Sequence, residues 1–285
     1  MRFIFIAPVI HEEFYLPLKK GMNDAAAMMN VEVAFTGTEG VETNVLANLV
    51  AQAVTEGYDG IAVNMIDQQA FNSAVQRAMA QGVPVVAFNT DAPESGRMSA
   101  VSQNVFQAGK TVGAEVLDLI QVGSKVLITM HDAGILGLER RRDGILAELD
   151  ARGIVHKVII AASTPEASIP IISRALHDDP SIRFLCCTGQ ADTEAAGLVI
   201  EREFAGRGYG VAGFDLSSEI LRLILSGVIH CTIDQQPYAQ GFYPVLQLAL
   251  YCRYGIRPSN MDSGATIVTV NEAAKLLKMK RDNFR

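Results

Sequence analysis

Two short apolar segments in the last third of the chain each lead into polar side chains that suit a small hydrophilic ligand. Residues 210–215 finish in the carboxylate of Asp215, and residues 232–237 run into Gln235, Gln236 and a proline. Open α/β sheets bind ligands at the carboxyl ends of their strands. Carboxylates accept hydrogen bonds, whereas amides both donate and accept them. We therefore expect Asp215 and Gln235 to converge on one small polar molecule.

The segments that must position these groups alternate between strand and helix patterns. Strands are predicted at residues 2–8, 31–36, 61–64, 83–89, 100–102, 125–130, 155–161, 183–187, 209–214, 229–233 and 266–270. Helices are predicted at residues 38–56, 68–81, 105–120, 138–150, 167–177, 193–204, 217–226 and 238–254, after a first helix that ends near residue 30. This rhythm is typical of parallel sheets covered on both faces. It restarts near residue 125, which predicts an α/β protein of two doubly wound, Rossmann-like lobes.

Composition narrows the class of protein. The chain has 285 residues, of which 49% are hydrophobic and 19% charged, enough apolar material for a buried core. Its formal net charge of −7 argues against binding to nucleic acid, which requires a basic surface. The adjacent Cys186 and Cys187 lie in an apolar strand pattern and are expected to be packed thiols.

Motifs for enzymatic chemistry are missing. The first strand is not followed by a GxGxxG, and the chain contains no GxxxxGK[ST] or GxSxG sequence. The five histidines are scattered, and no CxxC pair occurs. We expect neither catalysis nor a metal or cofactor.

The amino terminus begins directly with a predicted strand. Residues 2–6 are too short for the apolar region of a secretory signal, and no apolar run reaches the length of a membrane span. The residues themselves leave two alternatives, a cytoplasmic protein or an exported one whose signal peptide has been removed.

Four segments resemble the type I periplasmic sugar-binding proteins of the ribose/allose/galactose group. Residues 58–67, YDGIAVNMID, are similar to the family's DGIIxNPxD segment, and residues 83–91, VPVVAFNTD, to IPVxxxD. Residues 213–215 and 232–237 match GFD and TIxQxP. Each segment alone is weak, but the four occur in the family's order and cover nearly the whole chain.

The resemblance implies two lobes with parallel sheets, joined by a three-strand hinge. The expected lobes are residues 1–104 with 236–262, and 105–235 with 263–285. A monosaccharide or related polyol would bind between them. By position in the family's pattern, the expected polar contacts are Asn64, Asn89, Arg141, Asp215 and Gln235, and Phe14 and Tyr15 would form an aromatic platform.

Three departures from the family's pattern leave residues open. Asn89 stands where relatives often carry Asp, and Asp91 lies two residues later on the same side of an extended backbone, so either is a candidate acceptor. Gln190 or Asp192 replaces the family's Asn near the start of a helix. The first loop carries His11, Glu12 and Glu13, and contact of Glu12, Glu13 or His131 with the ligand stays undecided.

Structural roles compete with these assignments. Asp215 would otherwise be a helix N-cap, and Arg141 would lie on a solvated helix face within the run from Arg140 to Asp143. Gln235 would be hinge backbone, and Phe14 and Tyr15 would be core.

The function that the resemblance implies is the receptor of an ABC sugar importer. Such a protein binds without catalysis, delivers its ligand to ABC permease subunits, and is expected to be a periplasmic monomer whose signal peptide is absent here. The alternative is the sugar effector-binding core of a LacI-type transcription regulator. That class carries a helix-turn-helix before the first strand.

Overall fold

A computed structural model describes residues 1–11, 13–280, 282 and 284. Its strands are β1 (Arg2–Ala7), β2 (Glu32–Gly37), β3 (Gly60–Val63), β4 (Val85–Asn89), β5 (Ser99–Ser102), β6 (Lys125–Met130), β7 (His156–Ile160), β8 (Ile182–Cys187), β9 (Gly210–Phe214), β10 (Cys231–Asp234), β11 (Met261–Asp262) and β12 (Thr266–Val268). Its helices are α1 (Tyr15–Met29), α2 (Thr43–Thr55), α3 (Asn72–Ala80), α4 (Val105–Val116), α5 (Leu136–Ala151), α6 (Pro165–Asp178), α7 (Gln190–Glu203), α8 (Ser218–Leu225), α9 (Pro237–Tyr254) and α10 (Val270–Lys280).

The strands form two six-stranded sheets. The first has the order β11-β5-β4-β3-β1-β2, and the second has the order β12-β10-β9-β8-β6-β7. Neighbouring strands are parallel except for β12, which runs antiparallel to β10. Helices flank both sheets, so the predicted fold class of two doubly wound α/β lobes is confirmed.

Alternation within β1 explains how both faces of the first sheet are buried. Phe3 and Phe5 face the layer formed with α1 and α9, whereas Ile4 and Ile6 face a separate cluster on the other side. Side chains of a strand point alternately to opposite faces, so a strand covered on both faces must be apolar throughout. This is why residues 3–8, after the exposed Arg2, form one continuous apolar run.

The chain passes between the two sheets at three places. Residues 103–104 join β5 to α4, residues 235–236 join β10 to α9, and residues 263–265 join β11 to β12. The third crossing is tied to the first by a hydrogen bond from the amide of Ser263 to the carbonyl of Ser102. The lobe boundaries predicted from the sequence remain a proposal.

Matching strands of the two sheets end in matching backbone conformations. Strand β4 ends at Asn89, and β9 leads directly into Asp215; each strand is third in its sheet's order. Both residues have positive φ, 60° for Asn89 and 70° for Asp215. Such conformations cost a non-glycine residue roughly 1–3 kcal/mol and cluster at functional sites.

Glycines let two pairs of helices pack with their backbones in contact. A β-carbon added to Gly241 of α9 would lie 1.9 Å from the carbonyl oxygen of Leu18 in α1. Between α4 and α5 the same relation holds, because a β-carbon on Gly109 would lie 2.1 Å from the carbonyl oxygen of Arg141. Helices α4 and α9 each begin directly after a crossing.

Several element boundaries differ from those predicted. Helix α2 begins at Thr43 rather than at residue 38, and helix α4 ends at Val116 before a short 3-10 turn. The short strand β11 was missed. The last predicted strand ends at Val268, and α10 follows it.

Cys186, Cys187 and Cys231 are buried free thiols, as expected for the first two. No helix in the described part of the chain has both the length and the apolar character needed to span a membrane.

We expect Gly241→Ala to destabilise the protein. The added methyl group would collide with the backbone of α1, and overpacking costs about 3 kcal/mol in such a case, against a gain of about 1 kcal/mol from helix propensity. The net loss, about 2 kcal/mol, is measured by urea denaturation. Gly40→Ala is the matched control, because no atom lies within 4 Å of its added β-carbon. Equal unfolding midpoints for the two variants would contradict the close-packing argument.

Candidate ligand-binding site

A cavity of about 70 Å³ lies where the carboxyl ends of strands from both sheets meet. We call it the central cavity. Eight of the ten predicted site residues line it: Phe14, Tyr15, Asn64, Asn89, Arg141, Gln190, Asp215 and Gln235. A larger cavity of about 410 Å³ lies at the amino ends of β8 and β9, but only second-sheet strands and their neighbours line it. Because polar groups of both sheets converge only at the first of these two cavities, we take the central cavity as the candidate site.

The first lobe contributes a chain of amides. The side-chain amide of Asn64 donates to the hydroxyl of Tyr15 at 3.2 Å and to the side-chain oxygen of Asn89 at 3.3 Å. Asn89 in turn donates to the side-chain oxygens of Gln235 and Gln240, both at 3.1 Å. The backbone amide of Thr90 holds the oxygen of Asn64 at 3.2 Å. Each amide is therefore oriented before a ligand arrives.

The second lobe contributes a buried ion pair. Arg141 and Asp215 are only 4% and 7% exposed, and the nearest guanidinium nitrogen lies 3.8 Å from a carboxylate oxygen of Asp215. The other carboxylate oxygen accepts from the side chain of Gln235 at 2.5 Å. Burial lowers the pKa of Arg141, and the charges of Asp215 and Asp192 oppose that shift.

Further partners hold the guanidinium group of Arg141 in place. It donates to the carbonyl of Thr188 at 3.0 Å and to the side-chain oxygen of Gln103 at 3.1 Å and 3.3 Å. The ring of Phe214 lies beneath it, with 4.2 Å between the guanidinium carbon and the ring centre. Arg141 is therefore not on a solvated helix face. Asp215 is not the N-cap of α8 either, because Ser217 fills that position.

Phe14 and Tyr15 pack edge to face, with 5.2 Å between ring centres and 75° between ring planes. Tyr15 also contacts Phe35 at 5.4 Å. Both rings are buried in the core of the first lobe while they line the central cavity. Their predicted roles as core and as platform are thus compatible.

His131 and Gln190 bring unpaired polar atoms to the cavity. Among the described residues, Nδ1 of His131 and the side-chain oxygen of Gln190 are buried without a hydrogen-bond partner. Burial, followed by the charge of Arg141, lowers the pKa of His131 to about 4, so the ring is neutral near pH 7. Buried polar atoms without a partner are costly, so each of these two atoms is a candidate to bond a ligand.

Asp91 is not brought to the central cavity. Its carboxylate is bound by the guanidinium group of Arg97 through two hydrogen bonds, one of them 2.5 Å from Nε, and it lines a different cavity beside the first crossing. The expectation that Asp91 and Asn89 share one side failed because Asn89 has positive φ, which breaks the extended backbone after β4.

Asp192 is fully buried and does not line the cavity either. Its oxygens accept from the hydroxyl of Thr129 at 2.7 Å and from the amides of Thr188 and Gly189 at 2.9 Å and 3.0 Å. Burial raises its pKa to about 7, against these hydrogen bonds. Of the two candidates at the start of α7, Gln190 therefore faces the cavity and Asp192 caps the helix.

Sequence reasoning missed two glutamines that support the site. Gln103 lies in the first crossing and holds Arg141, while its amide donates to the carbonyl of Gly264 at 2.8 Å. Gln240 lies on α9 and holds Asn89. The one feature of the sequence that could have pointed to these two glutamines is their proximity to a predicted crossing between the lobes. Of the undecided residues, His131 lines the central cavity and Glu13 lines an adjoining cavity of about 300 Å³. Glu12 lies outside the described residues.

Known proteins match the chain over most of its length. A family model described as the periplasmic binding protein domain matches residues 3–255. The xylose/arabinose-binding protein XylF of Sulfolobus acidocaldarius is 27% identical, covering 94% of this chain and 71% of that protein. The ribose import binding protein RbsB of Bacillus subtilis is 23% identical, covering 81% of this chain and 75% of that protein.

Solved structures agree with these matches. A carbohydrate transporter from Acidothermus cellulolyticus in complex with myo-inositol has a TM-score of 0.88 and 26% identity, and covers 100% of this chain and 99% of that chain. A carbohydrate transporter solute binding protein from Agrobacterium radiobacter in complex with D-arabinose has a TM-score of 0.86 and 20% identity, with 98% and 97% covered. At that identity the second match speaks for the fold alone.

We expect Asp192→Asn to change the pH dependence of stability. The pKa of Asp192 is raised to about 7 in the folded state from 3.8, so between these values the folded state binds more protons than the unfolded state. The contribution of Asp192 to stability therefore falls as pH rises through this window, and Asn cannot titrate. The free energy of unfolding of both proteins is measured by urea denaturation at several pH values. The stability advantage of the unmodified protein over Asp192→Asn should become smaller as the pH rises. A difference between the two proteins that is independent of pH would contradict the assignment.

Proposed function

The chain belongs to the periplasmic binding protein domain family, and from that premise we propose that it is the solute-binding receptor of an ABC importer, with a monosaccharide or related polyol as ligand. The observation that carries the proposal is the central cavity. Guanidinium, carboxylate, amide and aromatic groups of both lobes converge there. Two buried polar atoms at the cavity, on His131 and Gln190, have no hydrogen-bond partner among the described residues.

These groups match the chemistry of a sugar. Each sugar hydroxyl both donates and accepts, so it pairs with Asn64 or Asn89, accepts from Arg141, and donates to Asp215 or Gln190. The C–H face of the ring packs against Phe14. A ligand that lacks one hydroxyl would leave a buried partner unpaired, which provides specificity.

The relatives support this class of ligand. The Sulfolobus protein is named for xylose and arabinose, and the Bacillus protein for ribose. The Acidothermus structure holds myo-inositol. All are small neutral polyols. The Bacillus protein is named for ribose import and the Acidothermus protein as a carbohydrate transporter, so the alternative of a regulator's effector-binding core is not favoured.

We assign the ligand contacts to the eight lining residues named above and propose the lobes as residues 1–104 with 236–262, and 105–235 with 263–285. The lobes close on the ligand by rotation at the three crossings, and the ligand selects the closed state. Arg141, at 4% exposed, is covered as a closed state requires.

The family is one of binding proteins, and its membership implies a periplasmic location. We propose that the protein binds without catalysis or cofactor, acts as a monomer, and delivers its ligand to ABC permease subunits. The net charge of −7 argues against nucleic acid as a partner, because binding to phosphates requires a basic surface.

A thermal-shift screen tests the ligand class. We expect one or two related sugars, among aldoses, ketoses, alditols and inositols at millimolar concentration, to raise the melting temperature, since stabilisation grows as RT ln(1 + [L]/Kd). Amino acids and nucleosides serve as controls. Stabilisation by these controls and by no polyol would overturn the proposal.

The variant Asp215→Asn tests the site. It keeps the size of the side chain but removes the charge that faces Arg141, and we expect a loss of about 2–4 kcal/mol of binding, roughly 30- to 900-fold in Kd. Asp91→Asn is the matched control, because Asp91 pairs with Arg97 outside the central cavity. Calorimetric titration with the best sugar measures both. Equal losses, or a loss confined to Asp91→Asn, would refute the site assignment.

A further inference from the structure

The third crossing, residues 263–265, is held by hydrogen bonds from the other two crossings. The amide of Ser263 donates to the carbonyl of Ser102, where β5 runs into the first crossing. The carbonyl of Ser263 accepts from the side-chain amide of Gln236, in the second crossing, at 3.0 Å. Its hydroxyl accepts from the side-chain amide of Gln240, in the first turn of α9, also at 3.0 Å. Every polar group of Ser263 therefore has a partner in or beside another crossing.

Gln240 connects Ser263 to a residue of the candidate site. The side-chain oxygen of Gln240 accepts from Asn89 at 3.1 Å, and its amide also donates to the carbonyl of Gln235 at 2.8 Å. A glutamine side chain has one acceptor end and one donor end, so partners at both ends fix its orientation. Gln240 is fully buried, and neither Gln240 nor Ser263 lines the central cavity. Both can therefore affect a ligand only through other residues.

The next residue of the third crossing has a parallel contact with the other lobe. The side-chain amide of Gln103 donates to the carbonyl of Gly264 at 2.8 Å, while its oxygen accepts from Arg141. Gly264 has a φ of 87°, in the left-handed region that favours glycine. One short backbone segment thus contacts the glutamine that holds Asn89 and the glutamine that holds Arg141.

The contacts of Ser263 depend on the angle between the lobes. Under the proposed function, rotation of the lobes changes the backbone dihedral angles of the crossings and displaces the crossings relative to one another. Because Ser263 is bonded to groups of both other crossings, such a displacement lengthens or breaks some of its hydrogen bonds. A buried amide left without its acceptor is costly, so Gln240 would reorient, and Asn89 would lose the partner that orients it.

We propose that Ser263 is a positioning residue for ligand binding. Its hydroxyl keeps Gln240 in the orientation that presents Asn89 to the central cavity, and it does so while the three crossings are in their present arrangement. The inference rests on the proposed function and adds to it a residue outside the cavity that sets affinity. The coupling is reciprocal, so a ligand that binds Asn89 stabilises this arrangement of the crossings.

Ser263→Ala tests the inference on the full chain. The substitution removes one oxygen atom and leaves the backbone bonds of residue 263 in place. The probe is whichever of D-xylose, D-ribose, D-arabinose, D-glucose, D-galactose and myo-inositol raises the melting temperature most. We expect the Kd for this probe, measured by calorimetric titration, to rise about fivefold, the change that corresponds to one hydrogen bond.

Ser99→Ala is the matched control. Ser99 is also a buried serine bonded to a glutamine of α9, since its hydroxyl donates to Gln247 at 2.7 Å, and it does not line the central cavity. Both variants should lower the urea midpoint of the ligand-free protein by similar amounts, but only Ser263→Ala should raise the Kd. An equal rise in both variants would trace the effect to lost stability and overturn the inference.

Gln240→Met determines whether Ser263 acts through Gln240. Methionine is similar in size but cannot replace the hydrogen bonds, and we expect the Kd to rise about tenfold. Adding Ser263→Ala to this variant should then cause no further rise, because the link is already broken. A further rise of about fivefold would show that Ser263 acts elsewhere in the hinge and would overturn the inference. A rise beyond about a hundredfold from Gln240→Met alone would also overturn it, because one orienting residue cannot account for so large a loss.

The outcomes separate the two proposals. A probe that binds the unmodified protein and Ser263→Ala with the same Kd overturns the positioning role and leaves the receptor function intact. Failure of every probe to raise the melting temperature of the unmodified protein overturns the proposed function together with the inference.

Discussion

The buried charge of Arg141 is the constraint on which the site depends. A guanidinium group removed from water is costly unless it is paired and hydrogen-bonded. Its partners come from three places: Asp215 after β9, the carbonyl of Thr188 after β8, and Gln103 in the first crossing. The ring of Phe214 covers one face. The requirement to satisfy this one group therefore aligns a helix, two strand ends and the hinge.

The same requirement extends into the other lobe. Asp215 accepts from Gln235 in the second crossing, Gln235 accepts from Asn89, and Asn89 accepts from Asn64. Each amide has one donor and one acceptor side, so the orientation of each is set by its neighbour. The two lobes are consequently linked by side-chain hydrogen bonds as well as by backbone.

Much of this arrangement was predictable from the sequence, because strand ends carry positional information. Asp215, Gln235, Asn64 and Asn89 follow apolar runs that form the strands of the two sheets, and the resemblance to the sugar-binding family is confirmed by the match to its domain over residues 3–255. Arg141 was predictable only by its position in that family's pattern, since its neighbours read as a solvated helix face.

The failures have local physical causes. Asp91 was placed at the site on the assumption of an extended backbone, but the positive φ of Asn89 redirects the chain, and Arg97 takes the carboxylate. The sequence could not show which of Gln190 and Asp192 faces the cavity, because that depends on the residue at which α7 begins. Gln103 and Gln240 act through contacts between residues far apart in the chain, such as the 38 positions between Gln103 and Arg141, and no local pattern encodes these.

The glycine contacts between helices have a mechanical consequence. Helix α9 leaves the second crossing and lies backbone to backbone on α1, which starts at Tyr15 beside Phe14; α4 leaves the first crossing and lies in the same way on α5, which carries Arg141. Contacts at that distance leave no flexible side chains between the helices to absorb displacement. We therefore expect any rotation at the crossings to move α1 together with α9 and α5 together with α4, and with them the residues that line the central cavity. Under the proposed function, release of the ligand would then be a motion of a whole lobe about three short backbone segments rather than the loosening of any one contact.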